Sequence, residues 1–86
     1  MLMEYKTIEV KFLGERKSWK EPCFGEFWKW NTFWLLGCPR CGKVATLQHT
    51  VEVKDDVATI NPSVGCPFCH AHYFVKEGKV EVLSDF

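Results

Sequence analysis

Two short cysteine pairs of identical spacing, Cys38-Pro39-Arg40-Cys41 and Cys66-Pro67-Phe68-Cys69, constrain this chain more than any other feature. Each pair places two thiols on one tight turn. Bringing the turns together closes a tetrahedral cage of four sulfurs, the arrangement zinc prefers in structural sites. The proline after each first cysteine, and Gly42 after Cys41, suit turns whose main-chain amides curl round the sulfurs. Four reduced core cysteines without a metal would not account for matched spacing and matched prolines. The pattern predicts one structural Zn2+ held by Cys38, Cys41, Cys66 and Cys69.

Size strengthens that expectation. With 86 residues there is room for a single domain, 1–86. A core this small rarely supplies more than about 3–5 kcal/mol of net stability. Apparent binding energies for structural zinc are on the order of 10–16 kcal/mol, so the metal is expected to be part of the fold. A hydrophobic fraction of 47 % and an aromatic fraction of 15 % argue for a globular chain and against disorder.

The 11 basic and 11 acidic side chains cancel. Four thiolates around one divalent zinc would take the metal-bound chain to about −2. This balance is unlike the basic excess that phosphate binding needs. The longest apolar run, Phe33-Trp34-Leu35-Leu36, is far too short to cross a membrane. The first residues include Glu4 and lack the apolar centre of a signal peptide, so a cytoplasmic, reducing setting is expected. A thioredoxin-like redox pair would need a CxxC that opens a helix, and no helical period follows Cys41 or Cys69.

Along the chain, Ile8, Val10 and Phe12 alternate with Thr7, Glu9 and Lys11, which reads as a half-buried strand over Tyr5 to Leu13, closed by Gly14. Residues 14–22 read as a loop, since Pro22 would interrupt any long helix. Residues 23–36 hold a dense aromatic cluster. As one strand they would set Trp28, Trp30, Trp34 and Leu36 on one face and Phe27, Phe33 and Leu35 on the other. Cys23 has no CxxC mate and reads as a spectator thiol. Lys43 to Val53 alternates again, with Ala45, Leu47, His49, Val51 and Val53 on one side. Asp55-Asp56 then turns the chain, and Val57 to Ile60 returns. Asn61-Pro62-Ser63 reads as a turn into the second cysteine pair. Tyr73 to Val75 and Val80 to Leu83 flank Lys76-Glu77-Gly78-Lys79 as a last hairpin. The expected fold is all-β, a small zinc ribbon with two zinc knuckles and β-hairpins, extended by N-terminal strands.

From Trp34 to Val82 the chain resembles a family of small zinc-ribbon-like proteins found in phages, mobile elements and bacteria, some encoded near ubiquitin-like conjugation genes. The resembling residues are Leu36, Cys38, Cys41-Gly42, Asn61-Pro62-Ser63-Val64-Gly65, Cys69, His72-Tyr73-Phe74-Val75, and Gly78 with Val80. The family more often has serine where Asn61 stands. The resemblance implies a zinc-ribbon fold, a phage-like setting in a host cytoplasm, and no particular activity. It also implies a later ligand pair of the form Cys-x-x-His, which here would be Cys69 and His72. His72 is therefore the alternative ligand to Cys66. His70 directly follows Cys69 and reads as a surface imidazole or one that supports the site.

An enzyme is not expected. Catalytic zinc keeps an open position for water, whereas four protein ligands close the site. The nearest catalytic pattern is the nucleobase deaminase signature. It requires a glutamate two residues after a histidine, but His49 is followed by Thr50 and Val51. No small-molecule substrate is inferred. Protein interaction is the first expectation, with Trp19, Trp28, Trp30 and Trp34 as the partner surface, because tryptophan is enriched at interface hot spots. Nucleic-acid binding is the alternative. Lys17, Lys20, Lys29, Arg40 and Lys43 would gather near the first knuckle, although Glu15, Glu21 and Glu26 are interleaved with them.

Overall fold

The computed structural model describes residues 4–85, and every regular element among them is a strand. Eight strands form two four-stranded sheets. The first sheet runs in the order β1 (Lys11–Glu15), β2 (Glu26–Trp30), β3 (Phe33–Gly37), β4 (Val44–Leu47). The second is an antiparallel meander of β5 (Thr50–Lys54), β6 (Val57–Gly65), β7 (Ala71–Lys76) and β8 (Lys79–Asp85). Among the described residues, no helix is long and apolar enough to cross a membrane.

The two sheets share one core. Val10, Phe27, Leu36 and Leu47 from the first half are buried with Ala58, Ile60, Val64, Ala71, Tyr73 and Val75 from the second, and Cys38 and Cys66 lie in the same cluster. Phe27 and Trp34 stack within it at 5.0 Å, and Tyr5 meets Tyr73 edge-on at 6.2 Å. Burying such rings is the largest apolar contribution a chain this size can make. A smaller cluster of Cys23, Trp28 and Leu35 sits on the other face of the first sheet, covered by Trp19.

Both tight hairpins in the second sheet form where turn residues stand. Asp55 and Asp56 have φ of 53° and 63°, and Glu77 and Gly78 have 50° and 77°. Two consecutive positive φ values give the turn whose twist matches paired strands. The alternation over Lys43 to Val53 also holds: Thr46, Gln48, Thr50, Glu52 and Lys54 are exposed, while the residues between them are buried or half-buried. The segment is nevertheless two strands, since the chain leaves the first sheet after Leu47 and enters the second at Thr50.

Four local expectations need correction. Residues 5–10 are not part of a continuous strand. Ile8 is 61 % exposed and Val10 only 4 %, because this segment pairs with the β7–β8 hairpin before crossing to the first sheet. Its Ile8 carbonyl accepts from Val80 N–H at 2.7 Å, and its Val10 N–H donates to the Gly78 carbonyl at 2.7 Å. Gly14 does not close a strand but lies inside β1, where the register with β2 shifts between Phe12 and Glu15 as in a bulge.

The aromatic stretch is a hairpin instead of one strand. Trp30 pairs with Phe33 and Phe27 with Leu36, so residues of opposite parity share a face across the Asn31-Thr32 turn. Phe27, Trp34 and Leu36 therefore face the core, and Trp28, Trp30, Phe33 and Leu35 face outward. Lastly, Asn61-Pro62-Ser63 continues β6 instead of turning, with a register shift between Ile60 and Val64. A proline lacks an N–H for the ladder and fits a strand at such an irregularity.

Candidate metal centre

The first cysteine pair lies between β3 and β4, and the second between β6 and β7, so each sheet contributes one turn. The turns are built alike. Cys38 N–H donates to the Lys43 carbonyl and Cys66 N–H to the Ala71 carbonyl, both at 2.9 Å. Gly42 N–H donates back to the Cys38 carbonyl at 2.8 Å, and His70 N–H to the Cys66 carbonyl at 3.0 Å. Gly42 (φ 81°) and His70 (φ 63°) occupy equivalent left-handed positions. Only the first knuckle places there the residue that adopts this conformation without a Cβ penalty.

Within these turns, main-chain amides point at sulfur. Arg40 and Cys41 N–H donate to Cys38 Sγ at 3.4 and 3.5 Å, and Cys69 N–H to Cys66 Sγ at 3.5 Å. The four sulfurs of Cys38, Cys41, Cys66 and Cys69 all lie within 4.8 Å of one another. Cys38 Sγ is 3.7 Å from Cys69 Sγ, and Cys41 Sγ is 3.7 Å from Cys66 Sγ. A tetrahedron with metal–sulfur bonds of ~2.3 Å has an edge of about 3.8 Å, so the spacing suits a thiolate-bound metal ion. These four residues can hold one metal ion.

Burial governs the protonation of these thiols. It pushes Cys38 well above the usual thiol range, against the pull of the Cys41 and Arg40 amides, and it raises Cys41 as well. Burial works against ionisation of Cys66 too. There the Cys69 and Phe68 amides, with the neighbouring thiols, outweigh it and leave Cys66 below its ordinary value. Tyr73, packed against the cage, is held in its neutral form by burial, and negative charge on Cys38 or Cys66 acts in the same direction. Metal ligation requires thiolates, so loading the site displaces protons, and the burial that raises Cys38 and Cys41 works against that step.

The other named residues fall into place around this cage. His72 lies outside the sulfur cluster, with its Nε2 on Ser63 Oγ at 2.7 Å. The Ser63 carbonyl accepts from His49 Nε2 at 3.0 Å, so Ser63 ties both imidazoles to β6. His70 is exposed. Cys23 is fully buried, its thiol donating to the Lys20 carbonyl at 3.3 Å, and it packs with Trp28 and Leu35, outside the cluster of four sulfurs. Arg40, grouped in the sequence with surface cations, is only 6 % exposed, with its guanidinium over the Tyr5 ring at 6.0 Å. The segment around Tyr5 is fixed over the first knuckle by the Pro39 carbonyl, which accepts from Lys6 and Thr7 N–H.

Of the four tryptophans expected to form a partner surface, the structure removes Trp28. It is wholly buried beneath Trp19 and the Arg16 guanidinium, because the hairpin turns it onto the covered part of the outer face. Trp19 is half-buried, and Trp34 is half-buried in the core with Lys29 across its ring. Trp30 is 41 % exposed and stacks on Phe33, itself 48 % exposed, at 6.3 Å. Phe33 was not among the expected surface residues; the Asn31-Thr32 turn, read as a hairpin, would have revealed its pairing with Trp30.

No protein-family model matches this chain, and no curated protein or solved structure matches it either.

The ligand set can be checked by substitution. Cys66→Ser should lower metal content well below one equivalent, because the cage loses a vertex. His72→Ala and Cys23→Ser should leave it near one. Elemental analysis of the three purified variants decides between them. Retention of metal in Cys66→Ser with its loss in His72→Ala would assign the site to Cys69 and His72.

Proposed function

We propose that this chain is a small structural-zinc protein of zinc-ribbon type that acts as a non-enzymatic protein-binding module. The metal's role is architectural. Four sulfur ligands fill a tetrahedral site, leave no position for a reacting water, and join the two sheets at their cysteine turns. The observation that carries the binding role is the exposed Trp30–Phe33 pair at the end of the β2–β3 hairpin, held from behind by Trp19. Two large rings left in water beside an otherwise well-packed core have the composition of an interface anchor.

The competing reading is single-stranded nucleic acid stacked on Trp30, since Arg16, Lys17 and Lys29 line a depression beside it. Those cations are largely spoken for. Arg16 is paired with Glu26 at 2.7 Å, Lys29 lies over Trp34, and Glu15 shares the depression. With no net charge on the chain, affinity for phosphate should be weak and fade quickly with salt.

The two readings separate on salt. A protein partner captured from native cell extract by the zinc-loaded chain should survive moderate salt, because apolar burial is not screened. Trp30→Ala should weaken that binding about tenfold or more and leave zinc content unchanged. Tight binding of oligothymidylate at physiological salt, with no protein retained, would overturn the proposal in favour of nucleic acid.

A further inference from the structure

We infer that the free edge of β4 accepts an extended peptide segment of a partner protein as an added strand, an inference that rests on the protein-binding reading and names how the partner is held. Hydrogen-bond direction along β4 carries it. Cys38 N–H donates to the Lys43 carbonyl, and the register continues through Gly37↔Val44, Leu36↔Ala45, Leu35↔Thr46 and Trp34↔Leu47. Antiparallel ladders alternate bonded and non-bonded pairs. Ala45 and Leu47 therefore turn their main-chain groups toward β3, while Val44 and Thr46 turn theirs away. β4 is the last strand of its sheet, so that direction leads off the sheet.

The Val44 N–H shows what this edge seeks. It donates to Glu21 Oε2 at 2.6 Å, and this carboxylate of an exposed residue sits where the carbonyl of a neighbouring strand would be. Beyond it, the Val44 carbonyl and both main-chain groups of Thr46 face outward, with no main-chain partner on that side among the described residues. Thr46 itself is exposed. A donor and acceptors spaced along one edge match another strand, and nothing in a nucleic-acid backbone reproduces that alternation.

The surface beside the edge fits the side chains such a strand would bring. Val44 and Thr46 share the outer face with Leu35 and Trp30. An open groove of about 580 Å³ lies there, lined by Trp19, Trp30, Leu35, Val44 and Thr46. Side chains alternate along a strand, so every second residue of the added segment enters this groove while its amides meet Val44 and Thr46. The occupant is an extended peptide with large apolar side chains at alternate positions. Lys20 and Glu21, also on the groove, cancel and favour no particular charge.

The test uses the full, zinc-loaded chain and a displayed library of random short peptides. Selected peptides should carry apolar residues at alternate positions. In the isotope-labelled protein they should shift the amides of Val44 and Thr46 and protect them from exchange. Thr46→Pro removes one outward N–H and spares the ladder with β3, so with zinc content unchanged it should weaken binding about tenfold. The amide protection, read on the unmodified chain, stands independently of whether that variant folds. If no peptide is selected, the inference falls. It falls equally if selected peptides bind Thr46→Pro undiminished and shift only Trp30 and Phe33. That second result would leave the protein-binding reading standing and the edge without a role.

Discussion

Chelating the metal should unfold both sheets together, in one cooperative transition seen equally by far-ultraviolet circular dichroism and by tryptophan fluorescence. The cysteine turns close β3 to β4 and β6 to β7, and the sulfurs of Cys38 and Cys66 lie inside the core cluster that both sheets share. Removing the ion leaves four thiols crowded within 4.8 Å, and only apolar packing then joins the two turns. An apolar core worth about 3–5 kcal/mol is then set against the loss of on the order of 10–16 kcal/mol of metal binding. Acid should act the same way. A metal-bound cysteine is ionised far below its unfolded pKa, so its contribution is present above that value and lost as pH falls. Burial favours the neutral thiols of Cys38 and Cys41 once the metal leaves, which adds to the effect. Less chelator should therefore be needed at pH 6 than at pH 8. Unchanged spectra in excess chelator would show that the cage is dispensable.

The largest single-residue effect outside the cysteines should come from Gly37→Ala. Gly37 ends β3 directly before the first knuckle, and a Cβ there would land on the Cys23 carbonyl. The clash is with main chain, which cannot rotate away. Both neighbouring segments are fixed: Gly25 N–H donates to the Gly37 carbonyl at 3.0 Å and Cys23 N–H to the Gly42 carbonyl at 2.8 Å. Overpacking of this kind costs about 3 kcal/mol or more, enough to consume most of the core's own contribution. Gly65→Ala is the control, since a Cβ there meets nothing within 4 Å, and it should shift stability by no more than about 0.5 kcal/mol. Urea titration of the zinc-loaded variants reads both. Equal midpoints for the two would mean that the segment at Cys23 can yield.

The cysteine pairs, the alternation after Lys43 and the turns at Asp55-Asp56 and Glu77-Gly78 were legible because each is a local pattern with a single physical reading. What escaped was set by partners distant in sequence. Ile8 and Val10 have the same alternation signal, yet one is exposed and the other buried, because the segment pairs with the β7–β8 hairpin before joining the first sheet. The faces of the tryptophans depended on finding the Asn31-Thr32 turn, where neither glycine nor proline marks a reversal. That turn reverses the parity of every residue after it, which moved Trp34 into the core and Phe33 to the surface. Arg40 looked like a surface cation and is buried because Tyr5, more than thirty positions earlier, folds over the first knuckle. At His70, the match between the two knuckles foretold the turn, and its positive φ shows that the second knuckle keeps the geometry without the glycine.

The central claim is that Cys38, Cys41, Cys66 and Cys69 hold one zinc ion on which the fold depends. Native mass spectrometry of the purified chain tests it most directly, because it reads metal stoichiometry and compactness on the same ions. The account predicts one zinc per chain on the compact, low-charge species, and metal-free mass only on the extended, highly charged species. A compact, metal-free chain as the main species would contradict it.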